Sequence, residues 1–135
     1  VALPYQGMYS SSKAALQMAM KAYAIELKPF GVQCGTVLPG DTSTGFTAAR
    51  KMTEAASAHD SPYRERFERC RATIEKDETG GMSPAVIARA VSRQLKRRRM
   101  RMSCIPRIDY KAIGVLVRLV PEKVVLWILS LIYNK

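Results

Sequence analysis

Tyr9 and Lys13 stand at the two ends of Tyr9-Ser10-Ser11-Ser12-Lys13. On a helix, a separation of four puts both side chains on one face, with Cβ atoms about 5–6 Å apart. A free phenol keeps its proton up to a pH of about 10 and is a poor base at neutrality. An ammonium held beside it favours the phenolate, which makes such a pair a usable general acid and base. The spacing alone is unspecific, because tyrosine and lysine four apart recur in many helices that do no chemistry. Other reactive side chains are sparse. The single histidine, His59, lies in a polar stretch and reads as a plain loop residue, so no metal site is expected. Cys34, Cys70 and Cys104 are odd in number and far apart, which matches neither a disulfide framework nor a zinc spacing. Three such thiols point to a reducing, cytoplasmic setting.

The pair needs a helix to hold it, and residues 9–28 supply the pattern. Ala15, Leu16, Ala19, Met20, Tyr23, Ala24 and Leu27 recur at the i, i+3, i+4 spacing of an amphipathic helix. Lys28-Pro29-Phe30-Gly31 ends it with a terminal cation, a proline that cannot continue and a glycine for the exit. Residues 32–38 are rich in β-branched side chains and bounded by Gly31 and Pro39-Gly40, as a buried strand is. A helix that feeds a strand through a tight turn indicates an α/β fold. Residues 41–58, rich in small and hydroxyl side chains, read as a mobile loop with a short helix. Pro62 marks the first turn of the next helix, whose apolar stripe is Tyr63, Phe67, Cys70 and Ile74. Ser83-Pro84 opens another, with Val86, Ile87, Ala90, Val91 and Leu95 on one side. The substrate loop and helices thus fill residues 41–98, and residues 100–105 form a last strand.

Length and composition bound the rest. The chain has 135 residues, 47% hydrophobic and 24% charged, enough for one domain with a core and unlike a collagenous or disordered polymer. Its net charge is +11, and the excess is concentrated: residues 83–118 carry ten basic side chains against the single acid Asp109. Such a patch suits nucleic acid, an anionic membrane or a solvated helix end. No aromatic side chains are interleaved with Lys96-Arg97-Arg98-Arg99-Met100-Arg101 and no groove-reading motif is present, so nucleic acid is not expected as a partner. The tail, residues 112–135, is the most apolar stretch, but Arg118, Pro121, Glu122 and Lys123 divide it, whereas a spanning helix needs about 20 predominantly apolar residues. Two short helices hinged at Pro121 are expected, which either cover the protein's own core, pack on a partner subunit, or make peripheral contact with a membrane. The opening Val1-Ala2-Leu3-Pro4 shows neither an initiator methionine nor a secretion signal and reads as cut from a longer chain.

Three stretches carry a family resemblance: Tyr9-Ser-Ser-Ser-Lys13-Ala14-Ala15-Leu16, Glu26-Leu27-Lys28-Pro29-Phe30-Gly31-Val32, and Leu38-Pro39-Gly40-Asp41-Thr42-Ser43-Thr44-Gly45-Phe46. In order and spacing they resemble the second half of the short-chain dehydrogenase/reductase family. The resemblance implies that residues 1–111 are the carboxyl half of a doubly wound, parallel-sheet, Rossmann-like α/β domain, followed by the apolar tail. It implies that Tyr9 exchanges a proton with a carbonyl or alcohol while hydride moves to or from a nicotinamide ring. Lys13 would lower the tyrosine's pKa and hold the cofactor's ribose hydroxyls. Pro39, Gly40, Thr42 and Thr44 would form the turn that positions the nicotinamide, Thr42 mainly through its backbone and Thr44 through its hydroxyl. The substrate implied is a small lipophilic alcohol or ketone, because a hydrophobic carboxyl end after a basic stretch is similar to the hydroxysteroid and retinol dehydrogenase branches. The family's habit of burying this first helix between subunits implies a homo-oligomer.

The departures matter as much. No Gly-x-Gly-x-x-Gly turn is present, and the residues that would contact the ribose 2′ position are expected upstream of Val1, so nothing distinguishes NAD from NADP as the cofactor. The serine that the family places about a dozen residues before its tyrosine would precede Val1, and Ser10, Ser11 and Ser12 are not assigned that role. A full doubly wound sheet at about 30 residues per βαβ unit needs more chain than this. These residues are therefore expected to be inactive alone. The other expectation is a non-catalytic fragment or module that binds anionic membranes through its basic segment and tail.

Overall fold

Residues 13–24 contain neither a β-branched side chain nor glycine or proline, and five of them are alanine, so the backbone there loses little by coiling. The computed structural model, which describes residues 2–133 and for Ser57 the backbone only, shows helix α1 over Gly7–Glu26. It starts and stops two residues before the expected 9–28. The early stop follows from Pro29, which disfavours helical geometry in the residue before it. Leu27 caps the helix, Lys28–Phe30 tighten into a 3-10 turn, and the Gly31 N–H donates to the Lys28 carbonyl at 3.1 Å. No residue of α1 is buried: Met8 and Ile25 are 87% and 77% exposed.

Strand β1 is Thr36–Val37 and pairs in parallel with β2, Ser103–Cys104, in the register Thr36 to Ser103 and Val37 to Cys104. Both are shorter than the expected 32–38 and 100–105. The ladder closes only where the Thr36 N–H meets the Met102 carbonyl (2.9 Å) and the Leu38 N–H meets that of Cys104 (2.8 Å). Upstream, the Gln33 amide does the ladder's work: it donates to the Arg98 carbonyl at 3.0 Å and accepts from the Met100 N–H at 2.6 Å. Gln94, only 8% exposed, accepts from the Arg101 N–H. The arginine run is therefore fixed through its backbone by two glutamines, while its side chains stay in water.

Between the strands lie α2 (Glu54–Ser57), α3 (Arg64–Thr79) and α4 (Pro84–Leu95), so β1 and β2 are joined by the helical crossover that a parallel pair requires. The Thr53 hydroxyl accepts from the Ala56 N–H and the Ser83 hydroxyl from the Ala85 N–H, each capping its helix. Helix α3 begins at Arg64 rather than at Pro62, because Ser61 first closes a turn with the Arg64 N–H. Cys70 and Ile74 from its stripe are buried with Met82 and Ala90, and burial pushes the Cys70 thiol above its usual range. Tyr63, at the head of the stripe, is exposed. The accessible surface, 10395 Å², exceeds the roughly 7,000 Å² of a compact monomer of this mass. The excess is the bare side of α1, the Val91–Leu95 edge of α4 and the outer faces of the last helices.

Those helices are α5 (Ile108–Leu119) and α6 (Glu122–Tyr133), broken at Val120-Pro121. The boundary expected between residues 111 and 112 falls inside α5, which starts earlier because Arg107 clamps Asp109 in the first turn. That guanidinium holds the Asp109 carboxyl below its usual range. Helix α6 returns to α3, where burial and the nearby Asp77 raise the pKa of Tyr133. Among the described residues no helix is long and apolar enough to cross a membrane. Val1 and the final two residues of the expected tail lie outside the described residues.

Candidate active site

Tyr9 and Lys13 sit in the first turns of α1, and helical spacing alone brings them together. The Lys13 ammonium stands 5.3 Å from the centroid of the Tyr9 ring, within cation–π range. The phenol is about half exposed (48%), and its ring leans on Phe46 at 6.3 Å between centroids. That contact carries α1 to the loop after Thr44. The Ser12 hydroxyl bonds back to the Tyr9 carbonyl at 2.7 Å.

The Pro39–Thr42 turn is built differently. Its Asp41 carbonyl accepts from the Met82 N–H at 2.8 Å, the Ser43 N–H donates to the Met82 carbonyl at 3.0 Å, and Thr42 bridges Met82 in parallel. Gly81 makes this approach possible: a Cβ there would lie 2.4–2.6 Å from the Asp41 and Thr42 backbone. From the opposite side comes Tyr110 of α5, whose hydroxyl donates to Asp41 Oδ2 (3.0 Å) and accepts from the Asp41 N–H (3.2 Å). Its ring occupies the space where a Gly40 side chain would start, 2.2 Å from an ideal Cβ. Burial, and then the Asp41 carboxylate, push the Tyr110 phenol above its usual range, while the Arg107 guanidinium 5.7 Å from its ring pulls the other way.

Pro39, Thr42 and Thr44 share one wall of an open apolar groove of about 780 Å³, whose other wall is Ile87, Val91 and Leu95 of α4. Tyr9 and Lys13 are not in that wall; Phe46 is their link to it. Thr42 uses more than its backbone, since its hydroxyl donates to the Gly40 carbonyl at 2.9 Å. The Thr44 hydroxyl accepts from the Phe46 N–H at 3.2 Å, which leaves its own proton free to donate. Gly81, Met82 and Tyr110 escape the sequence patterns. Only the Gly80-Gly81 pair ahead of Ser83 hints at a close approach.

A smaller cavity of about 240 Å³ lies between the lead segment, the loop and α3, lined by Tyr5, Met52, Phe67 and Arg71 among others. The loop beside it, expected to be mobile, is tethered to α3: Arg50 pairs with Glu75 (3.3 Å) and Glu78 (2.8 Å), and the Thr47 hydroxyl donates to Glu78 at 2.6 Å. Among the described residues no three His, Cys, Asp or Glu side chains converge on a metal position. A nicotinamide cofactor fits these residues on the nicotinamide side. An exposed phenol, an exposed ammonium and a free hydroxyl proton on Thr44 match the polar groups that end of the cofactor carries.

Comparison with known proteins gives the chain its family. Residues 1–55 match the family model described as short chain dehydrogenase. A 3-ketodihydrosphingosine reductase of Bacteroides thetaiotaomicron is 36% identical over 96 residues, which is 71% of this chain and 35% of that protein. A vibriobactin-specific 2,3-dihydro-2,3-dihydroxybenzoate dehydrogenase of Vibrio cholerae is 50% identical over 40 residues, 30% of this chain and 15% of the relative. An NADPH-dependent 1-acyldihydroxyacetone phosphate reductase of Saccharomyces cerevisiae is 31% identical over 77 residues, 57% of this chain and 26% of its own. The chain thus spans about a third or less of the curated relatives it matches. It belongs to the short-chain dehydrogenase/reductase family, and its α/β architecture with a parallel strand pair is part of that family's Rossmann-like domain.

Proposed function

We propose that these residues form the catalytic and substrate-side part of an NAD(P)-dependent oxidoreductase that interconverts a carbonyl and a secondary alcohol on a lipophilic substrate. The observation that carries this reading is the Lys13 ammonium over the Tyr9 ring, beside the loop that leaves the Pro39–Thr42 turn. A nicotinamide held here would supply or accept the hydride. Tyr9 donates its phenolic proton to the oxygen of a carbonyl under reduction and takes one back in the other direction. Lys13 stabilises the phenolate left between those events and offers N–H donors to the cofactor's ribose. Pro39, Gly40, Thr42 and Thr44 would form the turn that holds the carboxamide end. Two of the relatives are named for keto lipids, 3-ketodihydrosphingosine and 1-acyldihydroxyacetone phosphate, and the apolar groove beside the turn suits such chains. The bare surface of α1 supports a homo-oligomer in which a second copy covers it, and three free thiols suit the cytoplasm. The complete protein, given NADH or NADPH and a panel of long-chain 3-keto, ketosteroid and retinal substrates, is expected to turn over at least one of them in a Tyr9-dependent way. No turnover with any of them removes this reading.

The outer face of α6 favours a second, compatible reading. Leu126, Trp127, Ile128, Leu131 and Ile132 stand exposed together, with Lys111, Arg118 and Lys123 nearby in sequence. Amphipathic helices of this kind insert an apolar face while basic residues meet anionic headgroups, each worth about 1 kcal/mol. Flotation with anionic and neutral vesicles is expected to recover the protein with the anionic ones only. Absent binding to both discards a membrane contact without touching the enzyme reading.

A further inference from the structure

We propose that Tyr110 is a positioning residue for the cofactor-side turn, so that the first turn of α5 sets how the nicotinamide is held. The proposal rests on the oxidoreductase reading above and names a group outside the Tyr9, Lys13 and Pro-Gly set.

The geometry of one side chain carries it. The Tyr110 hydroxyl is bound twice to a single residue, donating to the Asp41 carboxylate at 3.0 Å and accepting from the Asp41 N–H at 3.2 Å, across 69 positions of chain. Two bonds to one residue fix both the backbone and the side-chain orientation of Asp41, which one bond does not. The ring then closes on Gly40, filling the space in which an added Cβ would meet Cε1 and Cζ at 2.2 Å. A glycine in a turn is otherwise the loosest point of a backbone. The ring on one side and the Met82 hydrogen bonds on the other leave the Gly40–Thr42 backbone in one arrangement. Arg107 stacks over the same ring and pairs with Asp109, so the start of α5 acts as one block against the turn.

A role confined to docking α5 onto the body predicts something different. Loss of docking lowers the folded, active fraction and leaves the cofactor's KM where it was. Loss of positioning raises the cofactor's KM and leaves that of the carbonyl substrate in place. The test uses the complete protein and three variants, Tyr110→Phe, Gly40→Ala and Gly40→Ala combined with Tyr110→Ala, read by NADH and NADPH fluorescence titration, steady-state kinetics and thermal unfolding. Tyr110→Phe keeps the ring and drops the hydroxyl, and it is expected to weaken cofactor binding by about 3- to 10-fold, the worth of a hydrogen-bonded pair. Gly40→Ala is expected to weaken it more. Removing the Tyr110 ring in that background is expected to restore part of the loss, because the methyl then has room. Cofactor binding by Tyr110→Phe equal to wild type overturns the proposal, as does a Gly40→Ala penalty that is undiminished without the ring. Failure of the wild type itself to bind either dinucleotide overturns the oxidoreductase reading, and the proposal with it.

Discussion

The two halves of the candidate site are assembled by opposite means. Tyr9 and Lys13 are neighbours because a helix places residues four apart on one face. The Pro39–Thr42 turn is placed by segments about 40 and 70 positions away: Gly81 and Met82 pair with it from one side, Tyr110 from the other. The Tyr9–Lys13 pair is local and exposed. The turn is non-local, half-buried and already braced. A substitution in the first should therefore remove chemistry with little effect on folding, and one in the second should disturb folding and cofactor geometry together.

Tyr9→Phe is the sharpest way to break that contrast. General acid–base groups contribute about 10²- to 10⁴-fold, so turnover by the complete protein should fall by that factor. Its unfolding temperature should stay within about 2 °C, since Tyr9 is about half exposed and the ring remains on Phe46. Steady-state kinetics beside a thermal melt checks both halves, and retained turnover ends the assignment of Tyr9. The next effect lies in the turn. A methyl at Gly81 meets backbone atoms of Asp41 and Thr42 at 2.4–2.6 Å, none of which can swing aside, so Gly81→Ala should cost about 1–3 kcal/mol of stability. Gly45, with nothing within 4 Å of an added Cβ, supplies the control: Gly45→Ala should change stability by less than about 0.5 kcal/mol. Equal effects of the two substitutions on denaturant midpoints would show that the turn is not braced at Gly81.

The same contrast separates what is legible in the sequence from what is not. The Tyr9–Lys13 helix, the Ser83-Pro84 start and the break at Pro121 depend on spacing, capping and proline, which are properties of short windows of sequence. The parallel strands were legible in place but not in length, because a strand ends where its partner ends, and the Gln33 amide takes over from the ladder. The loop over residues 41–58 looked loose from its small side chains. Its tethers are Glu75 and Glu78 on α3, and no local pattern links Arg50 to them. Tyr110 is the extreme case. It falls just outside the stretch taken as tail, and its role shows only when α5 folds back on residue 40.

The loop tethers set a middle-sized test. Glu78 accepts from both Arg50 and Thr47, and its side chain and that of Arg50 are only 16% and 20% exposed. Glu78→Gln should cost about 1 kcal/mol, more than the median for a surface pair because both partners are partly shielded. The same change should open the loop to trypsin at Arg50 and Lys51 about fivefold faster, the factor that a free-energy change of this size implies. Unchanged cleavage would mean that Glu75 alone holds the loop.

The smallest effect concerns alkaline pH and tests the Tyr110 side of the turn. Tyr110 carries a pKa raised above 10.0, first by burial and then by the facing Asp41 carboxylate, with Arg107 opposing. A group that holds its proton more tightly when folded adds stability that is fully present below its unfolded pKa and is lost as pH rises through the folded one. The unfolding temperature should therefore decline from about pH 10 upward. Tyr133, raised by burial and by Asp77, contributes to the same decline. Tyr110→Phe has no proton to lose, so its melting curve against pH should be flatter than wild type above that point and should retain the Tyr133 share. If Tyr110→Phe follows the wild-type slope throughout, the Tyr110 hydroxyl is not held against Asp41 in solution, and the turn is braced from the Met82 side alone.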